Sequence, residues 1–125
     1  LHFQRDGHSQ AKLVRVVKGK VLDVAVDLRR GSGTYGRHVA VELSEDNHRQ
    51  FFSPRGFAHG FSVLSDEVIF QYKCDSLYCP ESEGAVAWDD PDLEIDWMVP
   101  KDKIILSEKD KRHPKLRDCR PEDLP

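Results

Sequence analysis

The residues best suited to proton chemistry lie in short segments that are far apart along the chain. His2 stands between two apolar residues, and His59 stands in the glycine-flanked apolar segment 56–61. Asp23 lies within a run of β-forming residues, where a carboxylate is costly to bury without a partner. A carboxylate that fixes the tautomer of an imidazole satisfies both groups, so we predict a His59–Asp23 pair. Such a pair is either a satisfied polar contact in the core or part of an acid–base site.

Three further residues carry useful chemistry but have ordinary structural explanations. Lys12 opens a predicted strand, where a solvated ammonium group is common. Tyr72 lies inside a predicted strand, where an inward phenol usually belongs to the core. Asp110 follows Ser107 in a pattern typical of the first turn of a short helix. Residue type and spacing alone therefore leave their roles open.

The segment 12–28 predicts the elements that must hold these residues. Two β-rich runs flank Lys18-Gly19-Lys20, which is a hairpin signal. In the second run, one face is wholly apolar and the other mixes apolar and acidic residues. The apolar face consists of Leu22, Val24, Val26 and Leu28. The mixed face consists of Val21, Asp23, Ala25 and Asp27. A mixed face of this kind is typical of a pocket wall.

The remaining chain predicts more short strands, at 39–43, 49–53, 61–64 and 67–74, with Pro54-Arg55-Gly56 as a turn. In the last strand, alternation places Tyr72 on one face and Lys73 on the other. Residues 75–100 are predicted to be loop-rich, and the charged residues 111–125 are expected to form a frayed tail. Short strands at this spacing indicate one all-β domain over residues 1–125, a sandwich or barrel.

Composition excludes several classes of function. The 125 residues include 19 basic and 22 acidic side chains, and the net charge of -3 argues against a nucleic-acid binder. No apolar run approaches the ~20 residues that a membrane span needs. Three cysteines in a chain of this size favour free thiols in a reducing, cytoplasmic compartment. Cys74 and Cys79 have no second cysteine pair, so a zinc site is not expected.

Several motifs together resemble one family. The spacing Pro54-x-Gly56-x-x-His59 resembles the second motif of the cupin superfamily, while the metal-binding His-x-His motif is absent. A longer series of segments resembles, in order and spacing, the dTDP-4-dehydrorhamnose 3,5-epimerases, which are metal-independent cupins. The matching segments are Leu1-His2-Phe3-Gln4, 11–19, 23–29, 56–61, Tyr72-Lys73 and Trp88-Asp89-Asp90-Pro91. The resemblance extends to about Asp110 and implies neither metal nor cofactor.

The resemblance implies a cupin-type β-sandwich or jelly-roll barrel with a short C-terminal helical segment. It implies inversion of carbons 3 and 5 of a nucleotide-linked 4-keto-6-deoxyhexose, from dTDP-4-dehydro-6-deoxy-D-glucose to dTDP-4-dehydro-L-rhamnose. That reaction needs a base, a group that stabilises an enolate, and an acid on the opposite face of the sugar.

The resemblance also assigns roles to residues at matching positions. His2 matches the base, Asp110 the carboxylate that orients it, Lys12 the group at the enolate oxygen, and Tyr72 the opposite-face acid. The residues assigned to substrate binding are His59, Asp23, Gln4 and Lys73.

The resemblance also indicates the substrate and the oligomeric state, and it leaves other functions open. The resemblance implies a nucleotide-sugar substrate, a cytoplasmic homodimer, and several dozen residues ahead of Leu1, so we expect the chain to be N-terminally truncated. A single-centre 3- or 5-epimerase, a 3,4-ketoisomerase and a non-enzymatic sugar-binding cupin remain as alternatives.

Overall fold

Eight strands form two antiparallel sheets in the computed structural model, which describes residues 1–125. The strands are β1 His2–Gln4, β2 Lys12–Lys18, β3 Lys20–Asp27, β4 His38–Ser44, β5 Gln50–Ser53, β6 Phe57–Val63, β7 Ile69–Cys74 and β8 Glu83–Ala85. The larger sheet has the order β4-β3-β6-β1-β8, and the smaller has the order β5-β2-β7. The predicted all-β class is confirmed.

Helical structure is confined to short 3-10 turns. They are Asp6–His8, Pro80–Ser82, Lys101–Lys103, Asp110–Arg112, Leu116–Asp118 and Pro121–Asp123. None of these helical turns has the length and apolar character that crossing a bilayer requires.

The prediction of a hairpin at residues 18–20 is wrong. Strand β2 pairs with β5 and β7, whereas β3 pairs with β4 and β6. Between them Gly19 has a φ of +86°, and a Cβ there would lie 2.1 Å from the carbonyl oxygen of Glu67. The chain therefore crosses from one sheet to the other at this glycine. A crossing and a hairpin can both require a glycine at positive φ, so the local sequence does not distinguish them.

Strand β6 begins earlier than the sequence predicted, at Phe57 rather than Phe61. The additional residues pair with β3, where Asp27 lies opposite Phe57 and Ala25 lies opposite His59. His59 consequently belongs to a strand in the middle of the larger sheet, and its side chain has a fixed direction.

The inner faces of the two sheets pack on each other at one end of the sandwich. Val14 and Val16 of β2 form a buried cluster with Val21 of β3 and Leu43 of β4. Further along the interior, an aromatic contact joins the sheets, with stacked rings of Phe61 and Phe70 whose centroids are 4.4 Å apart. Beyond this contact the sheets enclose a cavity.

The outer face of the larger sheet is covered by the C-terminal part of the chain. Leu93 and Leu124 belong to the same buried cluster as Val24 and Val26 of β3. The expected frayed tail is therefore not observed, and Leu124 is only 8% exposed. The apolar outer face of β3 requires such a cover, because its side chains would otherwise stay in contact with water.

Asp27, at the end of β3, anchors the loop that leads to β4. Its buried carboxylate accepts hydrogen bonds from Nε and a terminal nitrogen of Arg29, both at 2.9 Å. The hydroxyls of Ser32 and Thr34 donate to its second oxygen, at 2.7 and 2.5 Å. The hydrogen bonds from Arg29 outweigh burial and hold the pKa of Asp27 well below its ordinary value.

We expect Asp27→Asn to lower the free energy of unfolding by about 2–3 kcal/mol at pH 7. The amide is uncharged and has only one acceptor oxygen, so it cannot replace the hydrogen bonds that both carboxylate oxygens accept. Urea denaturation measures this loss. The folded-state pKa is lowered, so the ionised carboxylate stabilises the fold above about pH 4, and this contribution is lost as the pH falls. The difference between the two proteins should therefore shrink between about pH 5 and pH 2. Asp46→Asn, in an exposed turn, is the matched control, and an equal loss there would contradict the anchoring role.

Candidate active site

Two histidines lie side by side on the inner face of the larger sheet. The register of β1 against β6 places His2 directly opposite His59. Residues opposite each other on neighbouring strands project from the same face, so both imidazoles point into the sandwich. Leu1 and Phe3 consequently point outward, where they are 5% and 6% exposed within the outer core.

His59 forms a buried pair with Asp23. Asp23 lies opposite Phe61, one diagonal step from His59, and its Oδ1 is 2.7 Å from His59 Nε2. Burial raises the pKa of the Asp23 carboxyl, and the hydrogen bond with His59 opposes that rise. The second oxygen, Oδ2, is buried without a hydrogen-bond partner. The structure thus brings together the two residues that the sequence suggested as a pair.

His2 lies between two carboxylates. Its Nε2 is 2.7 Å from Asp110 Oδ1, and its Nδ1 is 3.3 Å from Glu83 Oε1. Burial lowers the pKa of His2, and the hydrogen bond with Asp110 opposes this effect. Burial alone would raise the pKa of Asp110, but hydrogen bonds with Ser107 and His2 outweigh it and lower that pKa to about 2. An imidazole held beside an ionised carboxylate is suited to accepting a proton, because the carboxylate stabilises the imidazolium that forms.

The smaller sheet presents different chemistry to the same interior. Lys12 of β2 lies opposite Cys74 of β7, and Val14 lies opposite Tyr72, so Lys12, Tyr72 and Cys74 share the inner face. Burial lowers the pKa of the Lys12 ammonium, while Cys74, Asp23 and Glu83 act against that shift. Tyr72 is 59% exposed and borders the cavity.

A cavity of about 1030 Å³ lies between the sheets and brings these groups together. His2 and His59 contribute from the larger sheet, and Lys12 and Tyr72 from the smaller. The segment that follows β8 closes one side with aromatic and aliphatic residues, which are Trp88, Trp97, Ile104, Ile105 and Leu106. This segment is fixed by a hydrogen bond of 2.8 Å from the Trp97 indole to the Trp88 carbonyl. It leads directly to Asp110.

A family model described as dTDP-4-dehydrorhamnose 3,5-epimerase matches residues 1–118. The chain belongs to this family. A relative of that name from Methanothermobacter thermautotrophicus is 55% identical over 119 residues, which are 94% of this chain and 64% of the relative. An Escherichia coli relative of the same name is 51% identical over 112 residues, 90% of this chain and 60% of its own length.

Among solved structures, a dTDP-6-deoxy-D-glucose-3,5-epimerase from Legionella pneumophila is similar over 100% of this chain and 65% of its own. Its TM-score is 0.95 at 49% identity, and it is in complex with dTDP-4-keto-L-rhamnose. The chain thus spans less than two thirds of the length of these relatives. The structural similarity confirms the cupin epimerase architecture that the sequence implied.

Two residues that the resemblance with the epimerase family assigned to substrate binding, Gln4 and Lys73, do not present a free side chain to the cavity. Gln4 lines the cavity, but its amide is engaged with the main chain: Nε2 donates to the carbonyls of His8 and Leu77, and Oε1 accepts from the Cys79 amide. These contacts hold the loop after β7 against β1, and its substrate contact stays a prediction. Lys73 is not brought to the cavity, because alternation along β7 turns it to the face opposite Tyr72.

Sequence reasoning missed Glu83, Lys109 and His113. Glu83 reaches His2 because β8 pairs with β1, and the sequence predicted only loops in that region. Its second oxygen accepts hydrogen bonds from Lys109 and from the Tyr78 hydroxyl. His113 reaches Asp110 from within the segment expected to fray. No periodic signal marks any of the three positions, because all depend on contacts between distant segments.

We expect Gln4→Ala to lower the free energy of unfolding by about 2–3 kcal/mol, because it leaves three main-chain groups of the loops without their partner. The amide proton of Cys79, which donates to Gln4 at 2.8 Å, should also exchange faster with solvent. Hydrogen exchange monitored by NMR measures the second effect. Gln10→Ala removes a single bond, from Nε2 to the Ser76 carbonyl, and is the matched control. Unchanged exchange at Cys79 in Gln4→Ala would contradict the positioning role.

Proposed function

We propose that the protein epimerises a nucleotide-linked 4-keto-6-deoxyhexose at carbons 3 and 5, converting dTDP-4-dehydro-6-deoxy-D-glucose to dTDP-4-dehydro-L-rhamnose. One observation carries the proposal. An imidazole paired with a carboxylate and a phenol enter the same cavity from opposite sheets. Inverting a carbon requires that a proton leave one face and arrive at the other, and this arrangement offers groups on both sides of a bound sugar.

His2 is the base in this proposal. A ring nitrogen accepts the proton from the carbon next to the ketone, and the electron pair of the broken C–H bond becomes the C=C bond of an enolate. Asp110 orients the ring and stabilises the imidazolium that forms, as the 2.7 Å contact and the anionic state of Asp110 support. Because carbons 3 and 5 both flank the ketone, one base can serve both in turn.

Lys12 stabilises the negative charge that develops on the ketone oxygen. An ammonium held in a half-buried position acts on such a charge more strongly than one in water. The carboxylates of Asp23 and Glu83 support the charged form of Lys12 against the cost of burial. The His59–Asp23 pair forms the wall beside His2 and is proposed to contact the sugar.

Tyr72 returns the proton from the other side. Its phenol donates to the enolate carbon, the C–H bond reforms on the opposite face, and the electron pair of the O–H bond remains on the tyrosinate until solvent restores the proton. The half-exposed position of Tyr72 supports this exchange with water.

The nucleotide and the assembly are also part of the proposal. The cavity of about 1030 Å³ is at the upper end of small-molecule sites, and a nucleotide sugar is correspondingly larger than a single hexose. Exposed Leu77 and Tyr78 also line the cavity and are available to a nucleotide base. We propose that the protein works as a cytoplasmic homodimer, as the family resemblance implies.

Proton NMR in heavy water tests the reaction, with the protein at its full natural length and dTDP-4-keto-6-deoxyglucose as substrate. We expect the signals at carbons 3 and 5 to be lost and the L-configured ketone to appear. His2→Asn should slow both exchanges by about 10²–10⁴-fold, because general-base catalysis is removed. His8→Asn, at an exposed histidine outside the cavity, is the matched control.

Tyr72→Phe separates exchange from inversion. The base can still remove the proton and return deuterium to the same face, so exchange should persist while the L-ketone forms more slowly. Tyr35→Phe, outside the cavity, is the control.

The reaction of the unmodified protein distinguishes the alternatives. Exchange at one carbon only would indicate a single-centre epimerase, and migration of the ketone would indicate a 3,4-ketoisomerase. Binding without exchange would indicate a sugar-binding cupin. Each of these results would refute the proposal.

Lys12→Met should lower activity without lowering stability. We expect kcat to fall by about 10²–10³-fold, as for loss of an oxyanion-stabilising group. The free energy of unfolding should stay unchanged or rise by up to about 1 kcal/mol, because burial already disfavours the ammonium. Lys20→Met, at a strand residue outside the cavity, should leave kcat unchanged. A Lys12→Met protein with wild-type kcat would remove Lys12 from the mechanism.

A further inference from the structure

A second histidine shares the carboxylate that orients His2. His113 Nε2 is 3.3 Å from Asp110 Oδ1, the same oxygen that lies 2.7 Å from His2 Nε2. The two imidazole rings meet edge to face, with centroids 5.2 Å apart. The proposed proton transfers do not use His113, which lies outside the cavity lining.

We propose that His2, Asp110 and His113 form a site for a divalent cation of the zinc class, and that this cation acts as an inhibitor rather than a cofactor. The three ligand atoms all lie within 4.8 Å of one another. Two imidazoles and one carboxylate are ligands that Zn²⁺ takes at about 2.0–2.1 Å, which separates neighbouring ligand atoms in a tetrahedron by about 3.4 Å. The separations from Asp110 Oδ1 are 2.7 Å to His2 and 3.3 Å to His113, close to that value, and the two histidine nitrogens lie within 4.8 Å of each other, so side-chain rotation must bring them to that geometry.

Glu83 independently supports the site. Metal-bound histidines commonly donate their other ring N–H to a carboxylate, which fixes the tautomer and orients the ring. His2 has a carboxylate on that side, because its Nε2 faces Asp110 while its Nδ1 lies 3.3 Å from Glu83 Oε1. Glu83 is in turn held by Lys109. An outer carboxylate is therefore already in place behind one of the proposed ligands.

The backbone also fixes His113 in its position. Asp110 and His113 are separated by one 3-10 turn, Asp110–Arg112, which brings both side chains to the same side. The next residue, Pro114, accepts a hydrogen bond of 2.8 Å from the Ala87 amide, and the His113 side chain is only 14% exposed. A histidine held in this way loses little conformational freedom when it binds a metal.

The consequence for catalysis rests on the proposed function. A cation on His2 Nε2 occupies the lone pair next to Asp110 and adds positive charge beside the base. His2 then cannot act as a base oriented by Asp110. The cation therefore stops proton abstraction as an inhibitor and takes no part in the reaction. Proton abstraction should resume when a chelator removes the cation.

Direct binding tests the site separately from any activity. The full-length protein is titrated with CoCl₂ while the visible absorption of four-coordinate Co²⁺ is recorded, and ZnCl₂ is then added as competitor. We expect one Co²⁺ per chain, displaced by Zn²⁺. His113→Ala should abolish the spectrum, and His113→Phe, which keeps the ring beside His2, should do the same. Glu83→Gln should weaken binding by about 10–100-fold, as for an outer-shell partner.

His8→Ala, at an exposed histidine, is the matched control and should bind Co²⁺ like the unmodified protein. Absence of stoichiometric binding, or a full spectrum in a folded His113→Phe protein, would overturn the site.

Inhibition is tested in the exchange assay. Zn²⁺ should inhibit the unmodified protein, and EDTA should restore its activity. The rate of the His113→Phe protein is measured with and without Zn²⁺. Equal inhibition in that variant would overturn the inhibitory role. A protein that binds Co²⁺ but exchanges no substrate protons would refute the proposed function and not the metal site.

Discussion

The register between β1 and β6 is the constraint on which the site depends. It sets His2 directly opposite His59, and the two imidazoles form one row on the inner face of the larger sheet. A slip of one residue would turn Leu1 or Phe3 inward and send His2 into the outer core, since side chains alternate along a strand. Leu1 and Phe3 therefore fix the register, because a slip would remove them from the buried cluster that they form with Val24.

The carboxylates reach their histidines by a common geometric rule. Asp23 lies on the strand next to His59, and Glu83 on the strand next to His2, each one diagonal step from its histidine. Diagonal neighbours in an antiparallel sheet are close enough for side chains of this length to touch. Asp110 has a different origin, because it arrives from a turn beyond the end of the sheet. His2, the proposed base, thus lies between one carboxylate from the sheet and one from the covering segment.

Burying charge in this interior is a cost that the proposed function explains. Burial raises the pKa of Asp23 and lowers the pKa of Lys12, so both charged forms are disfavoured where they stand. A core built only for stability would use apolar residues in these places. The C-terminal segment offsets part of the cost, since it covers the outer face of β3 and also delivers Asp110 and His113 to His2. Stability and site assembly therefore share one element.

Local pattern was enough to predict most of the strands, though not β8, and the mixed face of β3. It also predicted a pairing of His59 with Asp23, because the cost of a lone buried carboxylate is a property of a short segment. Family resemblance added His2, Lys12, Tyr72 and Asp110 as residues of one reaction. The sequence by itself did not determine that β2 and β3 belong to different sheets, since Gly19 fits either a hairpin or a crossing. Only the tertiary structure decided that Gln4 is engaged by the main chain, that Lys73 points away, and that Glu83 and His113 join His2. Each of these facts depends on residues distant in the chain, whose contacts are set by sheet order and by the path of the covering segment rather than by any local preference.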